Sequence, residues 1–226
     1  MNEMMLLELD GWTALVRSPD VRTPTGIFLL LHGYTGNEKS MTVFTRNLPA
    51  SAWIIQPRGP YPTSEGGYKW IDSPHGLIAS FAEFQKAIEK LNLALGSWKS
   101  KLGLPEMPLD VIGFSQGAVA AMVFTITFPA LVRRAACLSG FIPDDTLLFV
   151  QDRPLEGKPI FMAHGTEDTT VPFHRAQKAE TILNSLGAEV TFCTAAVGHR
   201  ISAGCYRRYT NYFRQASDPG LLSLNK

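Results

Sequence analysis

The sequence predicts an α/β fold with a mostly parallel central sheet, an N-terminal hairpin and helices on both faces. Strand-like apolar runs alternate with segments of helical spacing along most of the chain. The first two runs flank the tight-turn pair Asp10-Gly11, which is typical of a hairpin. No internal repeat, low-complexity tract or linker interrupts this order, so we expect residues 1–226 to form a single domain.

The predicted elements follow from their residue patterns, in chain order. The hairpin strands are residues 5–9 and 12–16, and the continuous apolar run 27–31 is typical of a fully buried strand. Apolar residues recur every three or four positions in 77–102, which predicts a long helix. The segment 57–67 is rich in proline and glycine and is predicted to be loop. Further strands are predicted at 52–55, 109–112, 134–138, 159–163 and 190–194, and further helices at 40–48, from 118 to the proline at 129, at 173–186 and at 201–216.

Composition and charge exclude several classes of function. The 226 residues include 45% hydrophobic and 18% charged residues, which is ordinary for a globular protein. A net charge of +1 offers no electrostatic argument for a nucleic-acid partner or an anionic membrane surface. No apolar run approaches the roughly 20 residues that cross a bilayer, and the N-terminus lacks the pattern of a signal peptide. We therefore expect a cytoplasmic protein with no membrane span.

The three cysteines have no metal-ligand spacing. Cys137 and Cys193 lie in apolar, strand-like runs, which predicts buried thiols, while Cys205 lies in a predicted helix. Together with the odd cysteine count, this pattern fits a reducing compartment better than secretion.

The most informative motif is Gly113-Phe114-Ser115-Gln116-Gly117, which stands between a predicted strand and a predicted helix. A strand, G-x-S-x-G and a helix form the nucleophile elbow of an α/β-hydrolase, in which the serine occupies a sharp turn at the end of the sheet. Side chains at the flanking glycines would collide with the neighbouring strand and helix. The context therefore predicts Ser115 as a nucleophile.

A serine hydroxyl needs a base, and the base needs an orienting group. In this fold the partners follow the serine in the order acid and then histidine, each after a strand. Asp168 and His199 satisfy both the order and the position, and we predict that they complete a triad with Ser115.

Other residues compete for these roles. Asp144 and Asp145 follow the strand after the elbow, where some hydrolases place the acid, whereas Glu167 is expected to be a surface charge. Among the remaining histidines, His32 precedes the serine and is expected to shape the oxyanion loop. His75, His164 and His174 are expected to be structural or solvated.

An oxyanion hole requires two N–H donors. The backbone N–H of Gln116, at the start of the elbow helix, is one candidate. The second is the N–H of Tyr34, in the loop that follows the strand at 27–31. Tyr34, Tyr68, Trp70, Phe141 and Val171 are candidates for the wall of an apolar acyl pocket.

The sequence resembles the phospholipase/carboxylesterase group of α/β-hydrolases, which includes acyl-protein thioesterases. The similar segments run in family order over most of the chain: Leu31-His32-Gly33, Pro57-Arg58-Gly59-Pro60, Gly67-Tyr68-Lys69-Trp70, the elbow, His164-Gly165-Thr166-Glu167-Asp168 with Val171-Pro172, and Gly198-His199. The resemblance implies the same triad and oxyanion donors, ester or thioester hydrolysis, and no metal or organic cofactor. The sequence departs from the family pattern at Ala118 after the elbow and at Arg200-Ile201 after the histidine. These differences bear on which substrate subgroup of the family the chain resembles.

The predicted function is hydrolysis of small-molecule carboxylic esters with short to medium acyl chains by way of an acyl-enzyme. The alternatives are an acyl-thioesterase or a lysophospholipase of the same group, or a non-catalytic binding module on this fold. The segment 141–158, where many hydrolases insert a cap domain, is short and predicts an open cleft. We expect a monomer or a homodimer.

Overall fold

The computed structural model describes residues 4–73 and 79–215. Its strands are β1 (Met4–Leu9), β2 (Trp12–Arg17), β3 (Ile27–Leu31), β4 (Trp53–Pro57), β5 (Tyr61–Pro62), β6 (Tyr68–Lys69), β7 (Leu109–Phe114), β8 (Val132–Leu138), β9 (Pro159–Gly165) and β10 (Glu189–Ala195). Its helices are α1 (Thr42–Thr45), α2 (Phe81–Leu102), α3 (Gln116–Thr127), α4 (Thr146–Phe149), α5 (Phe173–Ser185) and α6 (Ala203–Gln215).

The described residues form a central eight-stranded sheet in the order β1-β2-β4-β3-β7-β8-β9-β10. The hairpin strands β1 and β2 are antiparallel, and β2 is also antiparallel to β4. All remaining pairs of this sheet are parallel. The predicted hairpin and the mostly parallel sheet are therefore confirmed.

Helices cover both faces of the sheet because successive side chains of its strands point to opposite sides. In β3, Ile27, Leu29 and Leu31 pack into the larger core cluster, with α2, α3 and α5. Phe28 and Leu30 pack into the second cluster, with α1 and α6. Every residue of β3 is buried, which explains its uninterrupted apolar sequence.

Several element boundaries differ from the sequence prediction. The long helix begins at Phe81 because Ser80 and Glu83 form a capping box there. The predicted start of this helix, residue 77, and the predicted end of the last helix, residue 216, both lie outside the described residues. The helix predicted at 40–48 contains only the four residues of α1. The segment 57–67 is not entirely loop, since β5 pairs with β6 in a small second sheet.

The prediction for Cys193 is wrong. Cys193 of β10 and Cys205 of α6 form a disulfide, with 5.7 Å between their Cα atoms. Cys137 is a buried free thiol, as predicted, and burial raises its pKa to about 12. Disulfides persist mainly in oxidising compartments, so this bond runs against the reducing environment inferred from the cysteine pattern. The cytoplasmic location stays a prediction.

The segment that replaces a cap domain is small. Between β8 and β9 it contains only α4, which has four residues. In the described ranges, 4–73 and 79–215, no helix has the length and apolarity needed to cross a bilayer.

Candidate active site

The parallel strands end at one edge of the sheet, and the predicted site residues follow these ends. β7 runs directly into Ser115, the β9 end precedes Asp168, and the β10 end precedes His199. The loop after β3 lies beside the elbow, because Leu31 pairs with Gly113 in the register of the two strands. Ligands of open α/β sheets bind beyond this edge.

The elbow has the strained backbone that the motif predicts. Ser115 has φ 54° and ψ −122°, a conformation that residues with a side chain rarely adopt. A Cβ at Gly113 would lie 2.1 Å from the Gly117 carbonyl oxygen, and one at Gly117 would lie 2.1 Å from the Leu31 carbonyl oxygen. The tight contact between strand and helix therefore requires glycine at both positions.

The structure brings the three predicted side chains into one hydrogen-bonded chain. His199 Nε2 lies 2.9 Å from Ser115 Oγ, and His199 Nδ1 lies 2.7 Å from Asp168 Oδ2. A carboxylate accepts but does not donate, so Nδ1 carries the imidazole proton and Nε2 is free to accept the serine proton. Asp168 and Ser115 are buried, while the His199 side chain is 22% exposed.

Backbone groups hold the acid in place. Asp168 Oδ1 accepts hydrogen bonds of 2.9 Å from the N–H groups of both Thr170 and Val171. The buried His164 ring lies 3.4 Å from Asp168 Oδ2, and its Nε2–H donates to the Val171 carbonyl at 2.8 Å. Burial lowers the pKa of His164, which favours the neutral ring beside the carboxylate.

The competing residues lie elsewhere or have other partners. Asp144 pairs with Lys178 on the surface, and Asp145 accepts a hydrogen bond from the Phe81 N–H at the start of α2. Glu167 and His174 are exposed, as expected for surface residues. His75 lies outside the described residues.

Of the two predicted oxyanion donors, Gln116 directly follows the serine, and Tyr34 follows Gly33, where an added Cβ would lie 3.2 Å from Ser115 Cβ. Gln116 is the first residue of α3, so its N–H has no partner within the helix. Tyr34 lies in the loop after β3, and neither its N–H nor that of Gln116 donates to another group in 4–73 or 79–215. Both N–H groups therefore lack a partner in these ranges, and their role as oxyanion donors stays a prediction.

His32 connects the loop after β3 to Gly59 by hydrogen bonds, which fits its predicted loop-shaping role. Its Nδ1 lies 2.7 Å from the Gly33 carbonyl, and its Nε2 accepts a 2.8 Å hydrogen bond from the Gly59 N–H. Burial lowers the pKa of His32 to about 4, so the ring is neutral at pH 7 and can make both bonds. The indole N–H of Trp70 donates to the His32 carbonyl at 2.7 Å.

Four of the residues predicted to line an acyl pocket are either buried or in contact with an arginine side chain. Trp70, Phe141 and Val171 are buried, and the Arg175 guanidinium lies 3.6 Å from the Phe141 ring centre. Tyr68 lies beneath the Arg58 guanidinium. Their role in binding an acyl chain stays a prediction.

A cleft of about 1000 Å³ is lined by sequence neighbours of the predicted triad, including Phe114 before Ser115 and Arg200 after His199. Gly33, Tyr34, Thr35 and Gly36 of the oxyanion loop form one wall, together with residues of α1. Arg200 and Ile201 of the His199 loop and residues of α6 form the other wall. The sequence analysis predicted an open cleft and singled out Tyr34 and Arg200-Ile201, but it did not bring them together, because the two walls come from segments far apart in the chain.

No group of three or more His, Cys, Asp or Glu residues suited to a metal ion occurs within the described part of the chain. The absence of a metal and of an organic cofactor stays a prediction.

The sheet order, the elbow and the side chains that follow these strands define an α/β-hydrolase. The family model of phospholipases and carboxylesterases matches residues 13–214, so the chain belongs to that family. The resemblance seen in the sequence is therefore confirmed, and the protein is a carboxylesterase-type hydrolase.

Individual relatives are distant. The carboxylesterase SOBER1 of Arabidopsis thaliana is 27% identical over 191 residues, which cover 77% of this chain and 83% of that protein. Acyl-protein thioesterase 1 of Debaryomyces hansenii is 28% identical over 137 residues, 55% of this chain and 57% of that protein. The crystal structure of the Bacillus cereus carboxylesterase superposes with a TM-score of 0.81 at 19% identity, covering 92% and 95% of the two chains.

Proposed function

We propose that this protein hydrolyses carboxylic esters with short to medium acyl chains through Ser115, His199 and Asp168. The observation that carries the proposal is the continuous hydrogen-bonded chain from Ser115 Oγ through the imidazole to Asp168. Membership of a family of carboxylesterases supports ester hydrolysis independently.

The reaction has two halves. Ser115 Oγ attacks the ester carbonyl while His199 Nε2 takes its proton, and the Tyr34 and Gln116 N–H groups stabilise the oxyanion. The bond from carbon to the leaving oxygen breaks, and His199 returns the proton to that oxygen. Water then attacks the acyl-enzyme by the same route, which releases the acid and restores Ser115.

Turnover of a p-nitrophenyl ester series of increasing acyl length, in wild type and in Ser115→Ala, tests the proposal. Wild type should show an optimum at short or medium length, and the variant should be folded and inactive. Ser139→Ala is a matched control, because Ser139 also follows a strand and has a positive φ, and its buried Oγ has no hydrogen-bond partner among residues 4–73 and 79–215. A fluorophosphonate should label wild type and Ser139→Ala but not Ser115→Ala. Full activity in folded Ser115→Ala would overturn the mechanism.

The match to an acyl-protein thioesterase favours thioester hydrolysis as a second candidate. The same residues would perform it, since only the leaving atom changes. Oxygen and sulfur esters of one acyl chain, compared by kcat/KM, separate the two activities. A lysophospholipase, a cytoplasmic location and a monomeric or homodimeric state remain further predictions, while the complete set of triad roles argues against a non-catalytic binding module.

A further inference from the structure

Three arginines line the cleft formed by the loop after β3, α1, the His199 loop and α6. Arg46 directly follows α1, Arg200 directly follows His199, and Arg207 lies on α6. All three are exposed, and none forms an ion pair with a residue in 4–73 or 79–215. Three arginines from three separate segments therefore line one cleft without an ion-pair partner in these ranges.

None of the described residues that line this cleft is acidic, so none of them balances the arginines. The Tyr34 hydroxyl donates an exposed 3.4 Å hydrogen bond to the Glu65 carboxylate, which is not among the lining residues. Clefts lined by one sign of charge concentrate ligands of the opposite sign. The electrostatics of the cleft therefore favour an anionic ligand.

The floor of the cleft is apolar. The Phe44 ring stacks on the Phe114 ring at 6.0 Å and lies 6.3 Å from the Tyr206 ring. The Tyr206 hydroxyl donates to the Val43 carbonyl and so links α6 to α1 across the floor. A ligand with a flat or apolar body and a charged end matches this combination of apolar floor and arginines.

The cleft lies close to the His199 imidazole, the group that serves the leaving atom. His199 Nε2 must return its proton to the leaving atom, so that atom has to lie next to the imidazole. Phe114, which lines the cleft, has its ring 5.2 Å from the His199 ring, and the lining residues Arg200 and Ile201 continue the His199 loop. This proximity makes the cleft the candidate binding site for the alcohol or thiol half of the substrate.

We infer that the natural substrate carries a phosphate or carboxylate on its leaving-group half, and that Arg46, Arg200 and Arg207 bind this anion. The inference rests on the proposed function and specifies its substrate class. The bonds made and broken are those of the acyl transfer above, and the anion is released unchanged on the alcohol or thiol product.

Matched acetate esters test the position of the charge. 4-Acetoxybenzoate is compared with the neutral 4-acetoxybenzamide, and 4-acetoxyphenyl phosphate provides the phosphate arm. For the acyl half, monophenyl adipate is compared with phenyl hexanoate. We expect kcat/KM about tenfold higher for an anionic leaving group than for the neutral match at low salt, as for a few partly exposed charge pairs. Each anionic ester gives a ratio of its kcat/KM to that of 4-acetoxybenzamide, and the larger of the two ratios identifies phosphate or carboxylate as the preferred anion.

Variants connect that preference to the cleft. In Arg200→Gln/Arg207→Gln the ratio of anionic to neutral kcat/KM should fall to near one. Arg208→Gln is the matched control, because Arg208 is the next residue of α6, is exposed and does not line the cleft. The control should keep the wild-type ratio, and high salt should reduce the ratio in wild type but not in the double variant.

Binding without turnover separates failure of this inference from failure of the proposed function. Calorimetry with Ser115→Ala should show tighter binding of 4-hydroxybenzoate than of 4-hydroxybenzamide, and the added double substitution should abolish the difference. Equal binding, equal rates, or a preference that survives in the double variant would overturn the inference. A preference confined to monophenyl adipate would also overturn it, because the anion would then belong to the acyl half.

Discussion

The disulfide between Cys193 and Cys205 closes a loop that has His199 at its centre. The cysteines are 12 residues apart, and His199 is six positions from each. Cys205→Ser removes the cross-link and lets the unfolded chain sample conformations in which β10 and α6 are far apart. For a loop of this size, loop-closure entropy is worth about 3 kcal/mol of stability. In a protein of this length, that corresponds to a fall in Tm of about 6–12 °C.

The fold should survive this substitution, because α6 has other attachments. Tyr209 and Phe213 are fully buried in the second core cluster, and Arg134 donates to the carbonyls of Tyr212 and Phe213 near the end of the helix. The expected result is therefore a folded protein that unfolds and loses esterase activity at a lower temperature.

Thermal unfolding of wild type and Cys205→Ser, each with and without reductant, provides the assay. Reductant should lower the Tm of wild type to nearly that of the variant and leave the variant almost unchanged. Thiol titration of denatured wild type should give one thiol without reductant and three with it, because the chain has three cysteines. Three thiols without reductant, or identical Tm values throughout, would refute the reasoning.

Three further predictions concern the orientation of the His199 ring by Asp168, the protonation of His32, and the buried ion pair between Asp110 and Arg134. Asp168→Asn should lower kcat about 10⁴-fold in a folded protein, because an amide can hold His199 in the wrong tautomer; steady-state kinetics with circular dichroism measure this. As the pH falls from 6.5 to 4, the free energy of unfolding should decrease by about 3 kcal/mol on account of His32. Burial lowers its folded-state pKa to about 4, so the unfolded chain binds the proton first. Urea midpoints of wild type and His32→Gln across this range should therefore converge as the pH falls. Asp110→Asn should cost about 3–5 kcal/mol in urea unfolding, because the buried Arg134 would lose its counter-charge.

Each of these predictions has an outcome that contradicts it. A loss of kcat below tenfold in Asp168→Asn would mean that another group orients the imidazole. Parallel pH dependence in wild type and His32→Gln would show that His32 does not remain neutral as the fold requires. A shift below about 1 kcal/mol in Asp110→Asn would mean that solvent replaces the carboxylate beside Arg134.

Local patterns predicted most of the elements. The turn pair Asp10-Gly11 and the continuous apolar run of β3 are short-range signals, and the structure has both elements where the sequence predicts them. The boundaries were less accurate where side chains compete for backbone groups. The capping box at Ser80, for example, decides where α2 begins.

The chemistry of the site was readable because catalytic roles are tied to strand ends. Ser115, Asp168 and His199 are separated by 53 and 31 residues in sequence, yet each follows a parallel strand of one sheet. The carboxyl ends of such strands share an edge, so the order of the motifs along the chain predicted that they would meet. The acyl-pocket candidates had no such constraint, and Trp70 and Phe141 lie in the core.

The amino-acid pattern thus determined the fold class, the elbow and the residues expected to form the triad, because periodicity and turn chemistry act over a few residues. The tertiary structure decided that Cys193 pairs with Cys205 and that His32 joins the oxyanion loop to Gly59. It also decided that arginines from α6, from the His199 loop and from the end of α1 line one cleft. These are contacts between segments distant in the chain, and only the packing of helices on the sheet sets their distances and burial.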